Sequence, residues 1–322
     1  MNDAMPLGYR IVGPCDRERR LVDYDRAFAA YAACDDLAQT DNESFLSPFQ
    51  YNDAIRDRIN DGVGRLDVRG FDGPCWSRFV WFDIDREGDI DAATKDARRL
   101  SLAMVERYDI DESELLVFFS GSKGYHIGLP TSLFNPSPTR TFNKAVRRFA
   151  EGLAASVGVA VDPVVYGKVQ PLRAPNSRHG KTGRHKRFVT LSELLHVKPA
   201  AIVAKSAEPL PFELPDEPTI DERAVADWRA ACESVKRQAE AVAMTGTDRT
   251  ELNRSTLEFI RDGADEGDRH RMLYSAAANL AELGCSVRLA HALLTESALD
   301  SGLPPADVRR AIDNGLNKRG TA

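Results

Sequence analysis

The most restrictive feature of this sequence is an apolar run that ends in two carboxylates. Residues Phe79 to Phe82 are all apolar, and Asp83 and Asp85 then flank Ile84. On a β-strand, residues i and i+2 point to the same face, so the two aspartates project together while their neighbours face the core. Adjacent carboxylates repel each other unless a cation lies between them. Oxygen ligands of this kind suit Mg²⁺ or Mn²⁺, with substrate phosphates completing the coordination shell.

A glycine-containing turn later in the chain is suited to binding phosphate. It has the sequence Ser120-Gly121-Ser122-Lys123-Gly124-Tyr125-His126. The glycines let backbone N–H groups converge on an anion, Lys123 adds positive charge, and the serine hydroxyls are hydrogen-bond donors. His126, on the strand that follows, is a candidate donor to a phosphate oxygen. The simpler alternatives are a hairpin turn that needs glycine for positive φ and a histidine satisfied in the core.

A third segment supplies another aspartate and several basic residues. Asp162 precedes a proline, and the basic run that follows it is Arg173-Ala174-Pro175-Asn176-Ser177-Arg178-His179-Gly180-Lys181-Thr182-Gly183. A third carboxylate from a neighbouring strand would complete a triad able to hold two divalent ions. The basic side chains are candidates for clamping a triphosphate or a template phosphate: Arg173, Arg178, His179 and Lys181. The ordinary alternatives are a turn-initiating Asp-Pro and a solvated basic loop.

Charge is distributed unevenly along the chain. The net charge is −6, yet residues 138–187 contain eleven Lys and Arg against two Asp and Glu. A basic surface on an acidic protein is an electrostatic footprint for a polyanion. No apolar run approaches the ~20 residues of a membrane span. The N-terminus is polar, so a cytoplasmic enzyme is the default expectation. The five cysteines stand singly, without the spacing of a zinc site.

The order of the elements indicates an α+β fold. Strands and helices alternate without a clean βα repeat, which favours a mixed sheet over a doubly wound one. Apolar runs predict strands at residues 78–85, 115–119, 125–129 and 159–165. Helical spacing or composition predicts helices at residues 50–61, 91–108 and 139–157.

Prolines suggest where the chain divides. Five of the residues from 198 to 220 are proline, a composition that suits an extended linker. The pattern after the linker is entirely helical, beginning with residues 221–244. We therefore expect a catalytic domain over 1–197, a linker over 198–220 and a small helical bundle over 221–322.

Taken together and in this order, the three segments resemble the archaeo-eukaryotic primase superfamily, the primase-polymerases. That family has an apolar strand ending in D-x-D, a turn of the form S-G-x-x-G-x-H, and a later aspartate followed by an arginine. Residues 173–183 are similar to the R-x-P-x-S-x-H-x-K-T-G run of archaeal primase small subunits. The resemblance covers about residues 75–190, and the combination is much more specific than any single motif.

The resemblance implies a catalytic domain with an RRM-like sheet and assigns roles to individual residues. Asp83, Asp85 and Asp162 would be the catalytic metal ligands, holding two Mg²⁺ or Mn²⁺ ions. The nucleotide phosphates would be bound by a larger set: Ser120, Gly121, Ser122, Lys123, Gly124, His126, Arg173, Ser177, His179 and Lys181. The chain departs from the archaeal small subunits in having no cysteine-rich zinc knuckle, so we expect no zinc.

A weaker resemblance concerns the helical tail. The runs Gly267-Asp268-Arg269-His270-Arg271 and Leu283-Gly284-Cys285-Ser286 look like parts of the helical domain that follows plasmid and phage primase-polymerases. There, that domain assists binding of the template and the initiating nucleotide. A bundle that serves only packing is the alternative.

These features predict a DNA primase-polymerase. Its partners would be a single-stranded DNA template and NTPs or dNTPs, and it would make short RNA or DNA primers by two-metal phosphoryl transfer. The sequence contains no helicase P-loop, so we expect a separate helicase or other replication proteins. The alternatives are a gap-filling repair polymerase of the same superfamily and a catalytically silent replication-initiation protein that binds nucleic acid. A nuclease also uses clustered carboxylates but does not need a triphosphate clamp.

Overall fold

The apolar run that ends in two aspartates forms a strand, Phe79–Asp85, in the computed structural model of the protein. The structure describes residues 4–60, 64–68, 70–245, 251–265 and 267–317, with only the backbone described for 241–245. These residues belong to two compact units, Met1–Gln238 and Ala239–Ala322. The architecture is mixed α+β, which confirms the predicted class.

All strands of the described residues belong to the first unit. In chain order they are β1 (Leu7–Val12), β2 (Arg20–Asp23), β3 (Ser44–Leu46), β4 (Gln50–Tyr51), β5 (Ile59–Asn60), β6 (Arg65–Leu66), β7 (Cys75–Trp76), β8 (Phe79–Asp85), β9 (Leu116–Phe119), β10 (Gly124–Pro130), β11 (Leu172–Arg173) and β12 (Arg187–Phe188).

The helices are distributed over both units. In chain order the α-helices are α1 (Tyr24–Ala33), α2 (Ile90–Tyr108), α3 (Phe142–Ser156), α4 (Leu191–His196), α5 (Pro199–Lys205), α6 (Glu222–Thr245), α7 (Arg254–Asp262), α8 (Arg269–Glu282), α9 (Val287–Asp300) and α10 (Pro305–Leu316). Short 3₁₀ turns lie between them, including Asp53–Arg58 and Pro163–Tyr166.

The sheet that carries the two aspartates has the strand order β12-β9-β10-β8. Its neighbouring strands pair antiparallel, so the mixed sheet expected from the sequence is corrected to an antiparallel one. The reason is the position of β10. The crossover through α2 returns β9 in the direction of β8, but β10 lies between the two strands and runs opposite to both.

Helix α2 covers one face of this sheet through a regular apolar stripe. Ala93, Ala97, Leu100 and Met104 recur at helical spacing and are all fully buried. The helix begins at an N-cap, where the Asp89 carboxylate accepts a hydrogen bond from Ala92 N. The predicted helix over 91–108 is therefore confirmed, and its packing holds β8 and β10 in place.

A second sheet, with the order β11-β3-β1-β4-β7 and with β2 paired to β1, forms the rest of the first unit. Two sequence predictions fail near it. The described part of the helix predicted at 50–61, residues 50–60, instead forms β4, a 3₁₀ turn and β5, because β4 pairs with β1 and β7 and β5 pairs with β6. Residues 159–165 form no strand, because Asp162 and Pro163 begin a 3₁₀ turn there.

The chain divides further along than the prolines indicate. Within the expected linker, residues 199–205 form α5, and Phe212 packs against the first unit, stacking on Phe188 with ring centroids 5.0 Å apart. In α6, Trp228 stacks on Phe134 at 4.8 Å and lies 5.3 Å from Phe142. These aromatic contacts attach the start of α6 to the first unit, and the boundary falls after Gln238.

The regular elements among the described residues of the second unit are all helices. Helices α7 to α10 enclose a small apolar core that includes Phe259, Leu273, Leu294 and Ile312. The described helices include none with both the length and the apolar character needed to cross a membrane.

Candidate functional site

The register of β8 and β10 brings the first two sequence motifs together. Asp83 lies directly opposite His126, and Asp85 lies opposite Gly124. Directly opposed residues of an antiparallel pair have their side chains on the same face, so the carboxylates and the imidazole share one surface. The turn that precedes β10 is therefore held beside the end of β8.

The backbone of the third motif is also joined to β8. Asp162 N donates a hydrogen bond to Asp83 O at 2.9 Å. The Asp162 carboxylate, however, caps the following 3₁₀ turn and accepts a hydrogen bond from Val164 N at 2.9 Å. Asp162 thus has the ordinary role of an aspartate before proline, and its backbone is bonded to that of Asp83.

The side chain of Asp83 is less exposed than that of Asp85. Its Oδ1 atom is buried without a hydrogen-bond partner and lies 3.4 Å from His126 Nε2. Burial opposes ionisation of this carboxyl, but His126, Lys186 and Lys123 together hold its pKa below the ordinary value. Burial and the Lys186 charge lower the pKa of His126. An ionised carboxylate therefore faces a neutral imidazole, whose Nδ1 is also buried without a partner.

Asp85 stands nearer to solvent and is paired with the turn. Lys123 Nζ lies 3.2 Å from Asp85 Oδ2. Burial and the charge of Asp83 raise the pKa of Asp85, while the hydrogen bond to Asp85 raises the pKa of Lys123. Lys123 thus neutralises a carboxylate that has a like-charged neighbour two residues away.

The glycine-containing turn before β10 has a specific internal geometry. Ser120 Oγ accepts hydrogen bonds from Gly124 N at 3.2 Å and Ser122 N at 3.4 Å, so two of the expected N–H donors are used within the turn. Gly121 has φ +87°, the conformation that favours glycine. At Gly124 the requirement is different: an added Cβ would collide with Ile84 O and come within 2.6 Å of Asp85 Oδ1.

The basic loop after β11 abuts this turn. Thr182 Oγ1 donates to Gly121 O at 2.6 Å. An added Cβ at Gly121 would lie 3.3 Å from the Cβ of His179. His179 Nδ1 accepts a hydrogen bond from Lys181 N at 3.2 Å, which shapes the loop. In a neutral imidazole the proton is then on Nε2. Burial, Arg173 and Lys181 lower the pKa of His179, so its imidazole is neutral at pH 7.

Arg173, His179 and Gly180 form what we call the anion clamp, and this clamp contacts Glu43, a residue that the sequence did not single out. Arg173 Nη1 donates to Glu43 Oε1 at 3.0 Å, and Gly180 N donates to the same oxygen at 3.4 Å. The Arg173 guanidinium also lies 4.9 Å from the ring centroid of Phe45. Glu43 has no spacing that relates it to the other motifs, so only the contact reveals it.

Lys186 is a second functional candidate that sequence reasoning missed. Its side chain is 1% exposed and its Nζ donates to Arg173 O at 2.9 Å. The Nζ atom lies 4.9 Å from the ring centroids of both Trp81 and Phe118. Burial lowers the pKa of Lys186 to about 7, although the charge of Asp83 opposes the shift. The basic composition of residues 138–187 includes Lys186, but nothing in the sequence separates it from exposed neighbours.

Two residues of the basic run are used for structure. Ser177, assigned to phosphate by resemblance, is fully buried, and its hydroxyl hydrogen-bonds to Ala174 O at 2.8 Å and Ser44 O at 3.0 Å. Arg178 Nε donates to Gly183 O at 3.0 Å within the loop. Lys181 is exposed. Arg173, His179 and Gly180 therefore lie together, whereas Ser177 faces the interior.

The fit of divalent ions depends on the carboxylates. The described residues contain no group of three or more His, Cys, Asp or Glu side chains already arranged to hold a metal ion. The donor chemistry nevertheless fits, because Asp83 and Asp85 present oxygen ligands on one face and Asp83 Oδ1 is buried without a hydrogen-bond partner. The metal triad of Asp83, Asp85 and Asp162 stays a prediction.

The residues singled out in the tail have structural roles. Ser286 is the N-cap of α9 and accepts from Leu289 N at 3.3 Å. Arg271 pairs with Asp268 at 3.0 Å, and His270 lies 3.7 Å from Asp307. These contacts support the packing alternative for this segment and leave its role with template or nucleotide a prediction.

Comparison with known proteins gives no family for this chain. No family model matches the sequence. No curated protein matches it either. The resemblance to primase-polymerases therefore rests on the sequence motifs alone and stays a prediction.

Proposed function

We propose that this protein is a template-directed nucleotidyltransferase of the primase-polymerase type, acting on single-stranded DNA with NTPs or dNTPs. The observation that carries the proposal is that the acidic residues of β8 and the basic loop after β11 both lie beside the turn that precedes β10. The β8–β10 register aligns Asp83 with His126, and the hydrogen bond from Asp162 N to Asp83 O holds the backbone of a third aspartate against β8. The Thr182 to Gly121 hydrogen bond joins the anion clamp to the turn beside them.

The carboxylate side of the site would hold two divalent ions. Asp83, Asp85 and Asp162 would be the ligands, and bound Mg²⁺ or Mn²⁺ would supply activation of the attacking hydroxyl and neutralisation of the leaving pyrophosphate. The surroundings of Asp83 keep it ionised at pH 7, as a ligand must be. Asp162 would exchange its cap contact with Val164 N for this role.

The basic side of the site would bind and orient the triphosphate. The Lys123 side chain is exposed at the tip of the turn, where it pairs with Asp85 and would also meet a phosphate. His126 has a buried Nδ1 without a partner, and the anion clamp adds Arg173 and His179. The positive charges of Lys123 and Arg173, with the neutral imidazoles as hydrogen-bond donors, would stabilise a phosphoryl-transfer transition state without a general base.

The combination favours synthesis over the other reactions that clustered carboxylates support. A hydrolytic nuclease needs the carboxylates and a water, but gains nothing from a clamp aimed at a phosphate chain. A silent binding protein gains nothing from an ionised Asp83 on the same strand face as Asp85. The chain has both features within one set of hydrogen-bonded segments.

Primer extension tests the proposal. Wild type should extend a labelled primer on single-stranded DNA with Mg²⁺ or Mn²⁺, and Asp83→Ala and Asp85→Ala should each reduce extension by more than about 100-fold, as expected when a metal ligand is lost. Asp57→Asn removes an exposed aspartate outside the site and is the matched control. Wild-type-like synthesis by either alanine variant would contradict the assignment of that aspartate as a metal ligand.

A further inference from the structure

The anion clamp already holds an anion that belongs to the protein. Glu43 Oε1 accepts from Arg173 Nη1 at 3.0 Å and from Gly180 N at 3.4 Å. A guanidinium and a backbone N–H converging on one oxygen is the arrangement by which proteins bind a phosphate oxygen. A carboxylate oxygen therefore occupies the position that the clamp offers to a ligand.

The contact is close and largely shielded from solvent. The side chains of Arg173 and Glu43 are only 12% and 21% exposed. At Gly180 an added Cβ would come within 2.6 Å of Glu43 Oε2, so the carboxylate rests directly against the loop backbone. A phosphate group cannot reach Arg173 through this face while Glu43 remains in place.

The backbone of Glu43 is fixed, whereas among the described residues its carboxylate is held by Arg173 and Gly180 of the clamp. Gly13 N donates to Glu43 O at 2.7 Å, and the next residue begins β3, which pairs with β11. The ladder aligns Phe45 with Arg173, so the two side chains meet by register. Displacement of the carboxylate needs side-chain rotation alone, with no change in the sheet.

We infer that Glu43 is a built-in competitor for the anion clamp, which an incoming phosphate chain must displace before Arg173 can bind it. The inference deepens the proposed function and rests on it for the identity of the ligand as a nucleoside triphosphate. Phosphate binding is then an exchange of one anion for another. The clamp is kept neutral and ordered without substrate, and its affinity is set below what Arg173 alone would give.

Binding of inorganic tripolyphosphate, measured by calorimetry without divalent metal, tests the inference. Glu43→Gln keeps the size of the side chain but removes its charge, and should tighten tripolyphosphate binding about 10-fold, which corresponds to roughly 1.4 kcal/mol. Glu18→Gln is the matched control, because Glu18 is a surface glutamate of the same unit that pairs with Arg20 and Arg65. Its affinity should stay within about twofold of wild type, since exposed ion pairs contribute little.

A double variant shows whether the effect passes through Arg173. Arg173→Gln should weaken tripolyphosphate binding, and adding Glu43→Gln to it should bring no further tightening. Unchanged or weaker binding by the folded Glu43→Gln variant, judged by its melting curve, would overturn the inference. Tightening that persists in the Arg173→Gln background would overturn it as well.

The outcome is separable from that of the proposed function. Tripolyphosphate carries no base or sugar, and no polymerisation is measured. Tighter binding by Glu43→Gln together with absent primer extension in wild type would support the role of Glu43 as a competitor and contradict the proposed polymerase activity. Normal primer extension by wild type with unaltered tripolyphosphate binding by Glu43→Gln would support the polymerase activity and contradict the role of Glu43.

Discussion

Asp162 N donates a hydrogen bond to Asp83 O at 2.9 Å, so two aspartates that are far apart in sequence are adjacent in space. The same Asp162 side chain caps a 3₁₀ turn through Val164 N. This double position makes it possible to separate a capping role from a role in binding metal.

Replacing Asp162 by asparagine should abolish activity without loss of stability. Asparagine caps as well as aspartate, so the free energy of unfolding should change by less than about 0.5 kcal/mol. A neutral amide is a poor ligand for Mg²⁺, and nucleotide incorporation should fall at least about 100-fold. Denaturant unfolding and primer extension measure the two effects. Asp162→Ala, which loses the cap, should cost about 1 kcal/mol. Near-normal incorporation by the asparagine variant would reduce Asp162 to a cap.

Lys186 should make the stability of the protein depend on alkaline pH. Its pKa is lowered to about 7 in the folded protein from an ordinary 10.5. Between these values the unfolded chain binds the proton and the folded chain does not, so the free energy of unfolding rises with pH. The penalty is complete below pH 7 and absent above the unfolded pKa. The rise should be at most about 1.4 kcal/mol per pH unit.

The Lys186→Met variant isolates this dependence. Methionine fills similar volume and does not titrate, so the difference between wild type and variant should grow in favour of wild type from pH 7 to pH 9. Denaturant unfolding at several pH values measures it. Parallel stability curves over that window would show that Lys186 does not titrate as described.

The two classes of glycine should respond oppositely to alanine. Gly124→Ala should destabilise the protein by about 1–3 kcal/mol, because the new Cβ collides with Ile84 O and crowds Asp85. Gly152 lies within α3 with no atom near an added Cβ, so Gly152→Ala should stabilise the protein by about 0.5–1 kcal/mol. Thermal unfolding gives both values. A neutral Gly124→Ala would mean that β8 and β10 are further apart than described.

The link between the turn and the basic loop should affect substrate binding. Thr182→Val removes the hydroxyl that donates to Gly121 O and leaves that carbonyl without this partner. The loss of one such hydrogen bond is worth about 1 kcal/mol, so KM for the nucleotide should rise about fivefold with a smaller change in kcat. Thr219→Val, at an exposed threonine, is the control and should leave KM unchanged. An unchanged KM for Thr182→Val would show that the two segments bind independently.

The sequence predicts the parts of the site that depend on local pattern. The apolar run identifies β8, period-two alternation places Asp83 and Asp85 on one face, and glycine spacing identifies the turn before His126. These predictions succeed because strand geometry alone determines them.

The remaining features depend on contacts between distant segments. Glu43 meets Arg173 because β3 pairs with β11, and Lys186 is buried because Trp81 and Phe118 surround it. The end of the first compact unit depends on such contacts too, since proline content does not reveal that Trp228 packs into an aromatic cluster. Register and burial of this kind are properties of the folded chain, and local composition does not encode them.

The most direct measurement of the central claim is synthesis from two free nucleotides on unprimed single-stranded DNA. Labelled NTPs or dNTPs, with Mg²⁺ or Mn²⁺, are supplied to wild type and to Asp83→Ala, and the products are resolved by length. We predict template-dependent dinucleotides and longer chains for wild type and none for the variant. Products that form equally with Asp83→Ala, or a wild-type protein that neither initiates nor extends a chain, would contradict a nucleotidyl-transfer centre at Asp83, Asp85 and Asp162.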